Sequence, residues 1–111
     1  MEEINFEDFQ QVKILTGTIL EVDLNPKASK PAYVLRIDFG QHGIKTSSAQ
    51  ITKNYQPEDL KGLQISAVVN FPEKRIAGVK SEVLILGAYS EDNGVVLLTP
   101  TESVEDGSLV G

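Results

Sequence analysis

Apolar and polar residues alternate along much of the chain, and this pattern predicts β-strands rather than long helices. The clearest run, residues 33–39, turns four apolar side chains to one face. Residues 63–71 alternate in the same way from Leu63 to Phe71, and we expect these five apolar side chains to point inward. Further strands are predicted over 12–22, 44–51, 83–89 and 95–98.

The first predicted strand is less regular than the others. Ile14 and Val22 fall on one face together with other apolar residues, whereas Leu15 and Ile19 fall on the opposite face. Gly17 lies in the middle of this run. Because glycine has no side chain to pack within a sheet, its position indicates a bend or a close approach of another part of the chain.

Two short helical segments are predicted besides the strands. Asn5 is a favourable N-cap, and Asp8 follows three residues later, near the positive end of a helix. Pro57 is tolerated in the first turn of a second segment, and Gly62 is suited to end it. We therefore expect one short helix at the N-terminus and one helical turn in the middle of the chain.

Two polar segments, 25–31 and 72–80, are expected to be loops because each contains proline and lies between predicted strands. The prediction is thus five main strands of uneven length, with the helical turn between the third and the fourth. Many short strands joined by Gly-containing turns favour an all-β barrel or sandwich. A five-stranded, partly open barrel is the OB-fold, which suits oligonucleotide or oligosaccharide binding. The number of strands alone does not separate it from an SH3-like barrel.

The length of 111 residues corresponds to a single domain, 1–111. We divide it into an N-terminal helix and arm (1–11), a barrel (12–99) and a C-terminal extension (100–111). Cysteine is absent, which excludes disulfides and fits a reducing compartment. The acidic N-terminus has no signal-peptide pattern, and the apolar runs are too short to cross a bilayer. We therefore expect a soluble cytoplasmic protein with no membrane partner.

The net charge of −6 at first argues against a nucleic-acid partner. The acidic residues, however, are concentrated at the two ends of the chain. Residues 9–90 contain all ten Lys and Arg residues against seven acids, a net charge of +3. A modest basic surface on the barrel is compatible with this distribution, and so is ordinary solvated charge.

Motifs that would indicate catalysis or a metal site are absent from the sequence. The single histidine, His42, lies in a Gly-flanked turn with no obvious nucleophile beside it. Ser47 and Ser48 are adjacent on a predicted strand, so their side chains face opposite ways and do not form a catalytic pair. We expect no enzymatic activity, no cofactor and no metal.

A binding surface is the remaining candidate for function. Three residues of interest lie on the polar strand 44–51, and the segment 70–81 adds three cations, an aromatic ring, an amide and a hydroxyl. Such groups position phosphates and stack bases, and they would equally suit a peptide. The candidate site residues are Lys45, Ser47, Ser48, Asn70, Phe71, Lys74, Arg75, Lys80 and Ser81.

The same segment carries a resemblance to a known family. Residues 69–72, 74–75 and 78–82 resemble the signature of the tRNA-binding-domain superfamily, the OB-folds appended to some aminoacyl-tRNA synthetases and to the EMAP-II cytokine. The run Ser-Ser-Ala-Gln-Ile-Thr at 47–52, together with 30–33 and 81–84, is similar to the CsaA family of export-related chaperones. The likeness extends over nearly the whole chain, from Phe9 to Gly111.

This resemblance implies an OB-fold homodimer that binds unfolded or export-bound polypeptides and has a capacity for tRNA. It also implies that the N-terminal helix and the segments beyond the barrel help to form the dimer. The chain departs from the family pattern at Glu73, and Asn54 and Gln56 occupy positions that are basic in some relatives. These differences lower the positive charge and weaken the case for tight tRNA binding.

Three functions stay open from the sequence: a dimeric chaperone-like peptide binder, a tRNA-binding module that recognises shape, and a scaffold module that docks onto another protein. The first two are compatible with each other, since one cation-lined surface could accept either polymer.

Overall fold

A computed structural model describes residues 1–111 and is mostly β-structure, with 41% of residues in strands and 11% in helices. The strands are β1 (Ile14–Leu24), β2 (Tyr33–Asp38), β3 (Ile44–Ala49), β4 (Gln64–Val68), β5 (Lys74–Ile76), β6 (Val79–Ser81), β7 (Leu84–Ile85), β8 (Gly87–Ser90), β9 (Gly94–Leu97) and β10 (Leu109–Val110). The helices are α1 (Phe6–Gln10) and α2 (Pro57–Leu60), and a 3-10 turn covers Gly40–His42.

The main sheet is a nearly closed barrel of five strands in the order β3-β2-β1-β4-β7, all paired antiparallel. Its two ends meet where the chain leaves β6. The N–H of Glu82 donates to the carbonyl of Thr46 at 2.8 Å, and the Glu82 carboxylate accepts from the N–H of Thr46 at 3.1 Å. The predicted OB-fold, with a short N-terminal helix and a helical turn between β3 and β4, is confirmed.

The core lies inside the barrel and follows the predicted alternation most closely in β2. Leu35, Ile37 and Phe39 have no solvent exposure, and Tyr33 has 4%. The capping predictions are also confirmed: the Asp8 carboxylate accepts from the N–H of Asn5 at 3.1 Å, and Pro57 opens α2.

The strand β1 differs from its predicted pattern because it contains a bulge. In the first half of the strand, Leu15 and Ile19 belong to the buried core inside the barrel. The register with β2 then shifts between Ile19 and Glu21. A bulge adds one residue to one strand, so the side chains beyond it change face. Val22 therefore packs against the same core as Ile19, which a strict alternation does not allow.

Gly17 has the close neighbour that its position in the strand predicts. A Cβ at this residue would lie 2.7 Å from ring atoms of Phe39 and 2.8 Å from Ile37 Cγ2. The ring of Phe39 therefore occupies the space that a side chain at position 17 would need.

The segment 72–80, which we expected to be a loop, contains a β-hairpin. Strands β5 and β6 pair Lys74 with Ser81, Arg75 with Lys80, and Ile76 with Val79. The turn between them passes through Ala77 and Gly78, whose φ angles of 48° and 82° are both positive. Phe71 was also placed wrongly: β4 ends at Val68, and the Phe71 side chain is 51% exposed rather than inward.

The C-terminal residues return to β1, while the predicted strand 83–89 is broken in two. β10 pairs with the first residues of β1, and the N–H of Gly107 donates to the carbonyl of Thr16 at 2.7 Å. Between β7 and β8 the N–H of Leu86 donates to the carbonyl of Ser66 at 2.9 Å. The helices α1 and α2, with five and four residues, are too short to span a bilayer.

Candidate binding surface

The hairpin β5–β6 presents two chemically different faces. Residues directly opposite each other in an antiparallel pair share a face, and neighbours along a strand alternate. Arg75 and Lys80 therefore lie together on one face. Lys74, Ile76 and their partners on β6 lie on the other face.

The second of these faces borders an open groove of about 330 Å³. Its apolar lining includes Phe71 and Leu84, each 51% exposed, and Ile76, which is 36% exposed. Lys74 also lines the groove, and it belongs to neither of the two ion pairs of the structure. The groove can therefore receive an apolar group and place one positive charge beside it. The complete lining is Phe71, Pro72, Lys74, Ile76, Ser81, Glu82, Val83 and Leu84.

The opposite face of the hairpin is polar and carries a partly neutralised positive charge. Lys80 Nζ lies 3.3 Å from the Glu73 carboxylate, and both side chains are about half exposed. Arg75 has no carboxylate partner; its Nη1 donates to the carbonyl of Gly78 at 3.4 Å. Because an exposed ion pair of this kind is worth little, about 0–1 kcal/mol, Lys80 is available to a stronger anionic ligand.

The hairpin is held in place at its tip and at its base. At the tip, the buried Asn25 donates from Nδ2 to the carbonyl of Ala77 at 3.4 Å, while its Oδ1 accepts from the N–H of Lys27 at 3.1 Å. At the base, the Ser81 hydroxyl accepts from the N–H of Ser48 at 3.1 Å. These contacts join the hairpin to the β1–β2 loop and to β3.

The polar residues of β3 divide between the two sides of the barrel wall. Lys45 lies opposite Ile37 on the core side near one end of the strand and is half-buried. Ser47 lies on the same side, is 1% exposed, and donates from its hydroxyl to the carbonyl of Val83 at 3.0 Å. Ser48 faces outward. The structure thus places Ser47 inside the barrel wall.

Asn70 joins two distant parts of the backbone. Its Oδ1 accepts from the N–H of Lys13 at 2.9 Å, and its Nδ2 donates to the carbonyl of Gln11 at 2.7 Å. Both polar atoms of the amide are therefore engaged within the chain.

Of the nine predicted site residues, the structure brings five together on and around the hairpin and places the others in the barrel wall or at the N-terminal arm. The five are Phe71, Lys74, Arg75, Lys80 and Ser81. The sequence-based prediction omitted Asn25 and Leu84. Leu84 could have been identified from the sequence, because it is an apolar residue on the outer face of a strand whose inward-facing residues are also apolar.

The chain is similar to known proteins over nearly its whole length. The model of a family described as "Putative tRNA binding domain" matches residues 14–109. The structure of the chaperone CsaA from Bacillus anthracis str. Ames is 51% identical, covers 99% of this chain and 100% of its own, and superposes with a TM-score of 0.94. The CsaA chaperone protein from Picrophilus torridus is 49% identical over 98% of this chain and 100% of its own, with a TM-score of 0.93.

A methionine–tRNA ligase from Porphyromonas gingivalis is 39% identical over 109 residues, 98% of this chain. The chain spans only 16% of that ligase, and the match does not include the catalytic part. The tRNA-binding domain and the CsaA fold are non-catalytic binding modules. Because the family model covers most of the chain and the two CsaA structures match it from end to end, the chain belongs to the tRNA-binding-domain family and, within it, to the CsaA type.

Proposed function

We propose that this protein is a cytoplasmic CsaA-type chaperone that binds unfolded or export-bound polypeptides as a homodimer and also has tRNA-binding capacity. The groove beside the hairpin is the observation that carries the proposal. It exposes three large apolar side chains, Phe71, Ile76 and Leu84, next to the free ammonium group of Lys74. An unfolded client offers apolar side chains for the first group and carboxylates for the second.

The groove offers enough apolar surface for weak, reversible binding. Complete burial of an exposed Leu or Phe side chain contributes about 1.5–3 kcal/mol. Since Phe71 and Leu84 are already half-buried, each would contribute roughly half of that on covering. One such groove supports modest affinity, and two copies in a dimer would raise the effective affinity for a long client.

The proposal of a homodimer is supported by apolar surface near the two chain ends. Phe6 is 69% exposed, Phe9 36% and Leu109 67%. A cavity of about 260 Å³ lies between α1 and β10 and is lined by all three of these residues. Covering this surface with a second copy would bury it and repeat the peptide groove by symmetry.

The second candidate ligand, tRNA, is supported by the cations of the hairpin. Arg75 has no carboxylate partner, and Lys80 has only the exposed Glu73. The fold also brings the β1–β2 loop, with Lys27, against the hairpin tip. The hairpin itself lies in the loop between the fourth and fifth barrel strands, β4 and β7. OB-folds bind oligonucleotides through these two loops, the one between their first and second strands and the one between their fourth and fifth.

The remaining predicted site residues fit supporting roles in this proposal. We assign Phe71, Lys74, Arg75 and Lys80 to direct contact with ligands. Lys45 lies on the core side of the barrel wall near one end of β3, and its contact with a ligand stays a prediction. The hydroxyls of Ser47 and Ser81, the backbone of Ser48 and the amide of Asn70 hold the wall and the arm that position these contacts.

Chaperone function is tested by measuring whether one equivalent of the dimer suppresses the aggregation of a thermally unfolded client protein. We expect suppression by the natural chain, and about fivefold weaker client affinity for Leu84→Gln, which loses about 1 kcal/mol of apolar burial. The matched control is Leu24→Gln, since Leu24 is 64% exposed and lies outside the groove. Absence of suppression, or an equal effect of both substitutions, would contradict the proposal.

Binding of tRNA is tested separately by titration at several salt concentrations. Each phosphate contact should make log K fall by about 0.7–0.9 per unit of log salt. Binding that is absent, or that does not depend on salt, would remove tRNA from the proposal and leave the peptide function in place.

A further inference from the structure

We propose that the hairpin β5–β6 separates the two ligands, so that a polypeptide occupies its groove face while an RNA phosphate backbone occupies its opposite face on the same protomer. This inference rests on the proposed function and goes beyond it, because a single shared site would make the two polymers compete.

The register of the hairpin is the first argument. Lys74, Ile76 and Ser81 line the apolar groove, whereas Arg75 and Lys80 do not. The pairing of Arg75 with Lys80 directs both side chains to the face opposite to that of Lys74 and Ile76. A phosphate held by both Arg75 and Lys80 therefore lies on the far side of the hairpin from a group in the groove.

The chemistry of the two faces is the second argument. Like charges directly opposite each other in a sheet repel, and an anion between them relieves the repulsion. Glu73 supplies one carboxylate, which lies beside Lys80 and leaves Arg75 without an acidic partner. A guanidinium group with five donors matches a phosphate. The groove face, by contrast, is mainly apolar and its one cation, Lys74, shares the lining with the Glu82 carboxylate, so a phosphate there would lose its hydration without adequate compensation.

The anchoring of the hairpin is the third argument. Asn25 holds the tip through the carbonyl of Ala77, and Ser81 holds the base through the N–H of Ser48. Because both ends are bonded to other parts of the chain, these contacts favour the orientation of the hairpin in which Arg75 lies on the face away from the groove.

The experiment measures two ligands together on the full chain: a fluorescein-labelled apolar peptide, followed by anisotropy, and unlabelled tRNA. We expect saturating tRNA to leave the Kd of the peptide within about twofold. If tRNA raises the Kd of the peptide tenfold or more, in proportion to the tRNA concentration, the proposed separation of the ligands is overturned.

Two neighbouring substitutions that remove the same charge provide the matched control. Arg75→Gln should reduce the slope of log K against log salt for tRNA by about 0.7–0.9, with peptide affinity unchanged. Lys74→Gln should leave that slope unchanged, because its side chain points to the groove. Equal loss of slope in both variants would overturn the inference.

The outcomes also separate this inference from the proposed function. If the natural chain binds both ligands but they compete, only the separation is wrong. If it fails to bind one of them, the proposed function loses that ligand, and the separation fails with it.

Discussion

Asn70 connects the end of β4 to the N-terminal arm, and its replacement tests whether it serves the fold or a ligand. Its amide makes two hydrogen bonds, to the N–H of Lys13 at 2.9 Å and to the carbonyl of Gln11 at 2.7 Å. The N–H of Val69 adds a third bond to the carbonyl of Lys13, at 2.9 Å. We expect Asn70→Ala to remove two of these three bonds and lower the free energy of unfolding.

The magnitude of the loss follows from the number and exposure of the bonds. A protein hydrogen bond contributes a net 0.5–1.5 kcal/mol or so, and these two are exposed, so water replaces part of each. We expect a total loss of about 1–2 kcal/mol. In a domain of this size, such a loss corresponds to a fall in melting temperature of roughly 4–8 °C.

The assay is thermal unfolding followed by circular dichroism at one fixed protein concentration, since self-association would make the midpoint concentration-dependent. Asn54→Ala is the matched control, because Asn54 is exposed and its side chain makes none of the hydrogen bonds of the structure. We expect the control to change stability by less than about 0.5 kcal/mol.

The opposite result would refute this reasoning. If Asn70→Ala and Asn54→Ala melt at the same temperature while only Asn70→Ala binds tRNA or peptide less tightly, then Asn70 contacts the ligand directly. The hydrogen bonds to the arm would then have little energetic importance.

Two further substitutions test the barrel and the hairpin. Gly17→Ala places a Cβ 2.7 Å from the ring of the fully buried Phe39, and we expect this overpacking to cost about 1–3 kcal/mol in chemical denaturation. Glu73→Gln removes the carboxylate 3.3 Å from Lys80. We expect tRNA binding to tighten, because Lys80 then binds its phosphate without first giving up an ion pair worth about 0–1 kcal/mol.

Each of these predictions has an internal control. Phe39→Leu should partly restore the Gly17→Ala variant, because the smaller side chain makes room for the added methyl group; independent, additive losses would show that the two do not clash. Glu91→Gln removes the same charge from the β8–β9 turn, away from the hairpin. If it strengthens tRNA binding as much as Glu73→Gln does, the effect is one of net charge.

The sequence predicted well those elements whose signals are local. The alternation of residues 33–39 predicted the strand β2 and its buried side chains, and Asn5 and Pro57 marked the starts of both helices. The absence of a side chain at Gly17 predicted a close neighbour, which is Phe39. Each of these inferences needed only a few consecutive residues.

The errors arose where the environment of a residue depends on a distant segment. The hairpin β5–β6 was missed because each strand has only three residues, four of the six are Lys, Arg or Ser, and the pairing between the strands holds them extended. The bulge in β1 is defined only against β2.

The candidate site shows the same division. Composition alone showed that residues 70–81 carry cations beside an aromatic ring, and the resemblance of this segment indicated the family. The sequence did not show that Arg75 and Lys74 point in opposite directions, because the direction of each side chain depends on the register of the hairpin. Nor did it show that the hydroxyl of Ser47 is taken by Val83, 36 residues away.

The sequence by itself therefore determined the type of fold, the family and the segment that carries the binding chemistry, because periodicity, caps and motifs are properties of neighbouring residues. The tertiary structure decided which of those residues are free to bind. Hydrogen bonds with distant segments of the chain occupy the side chains of Asn70, Ser47 and Ser81, while the pairing within the hairpin directs an apolar groove to one side and two cations to the other.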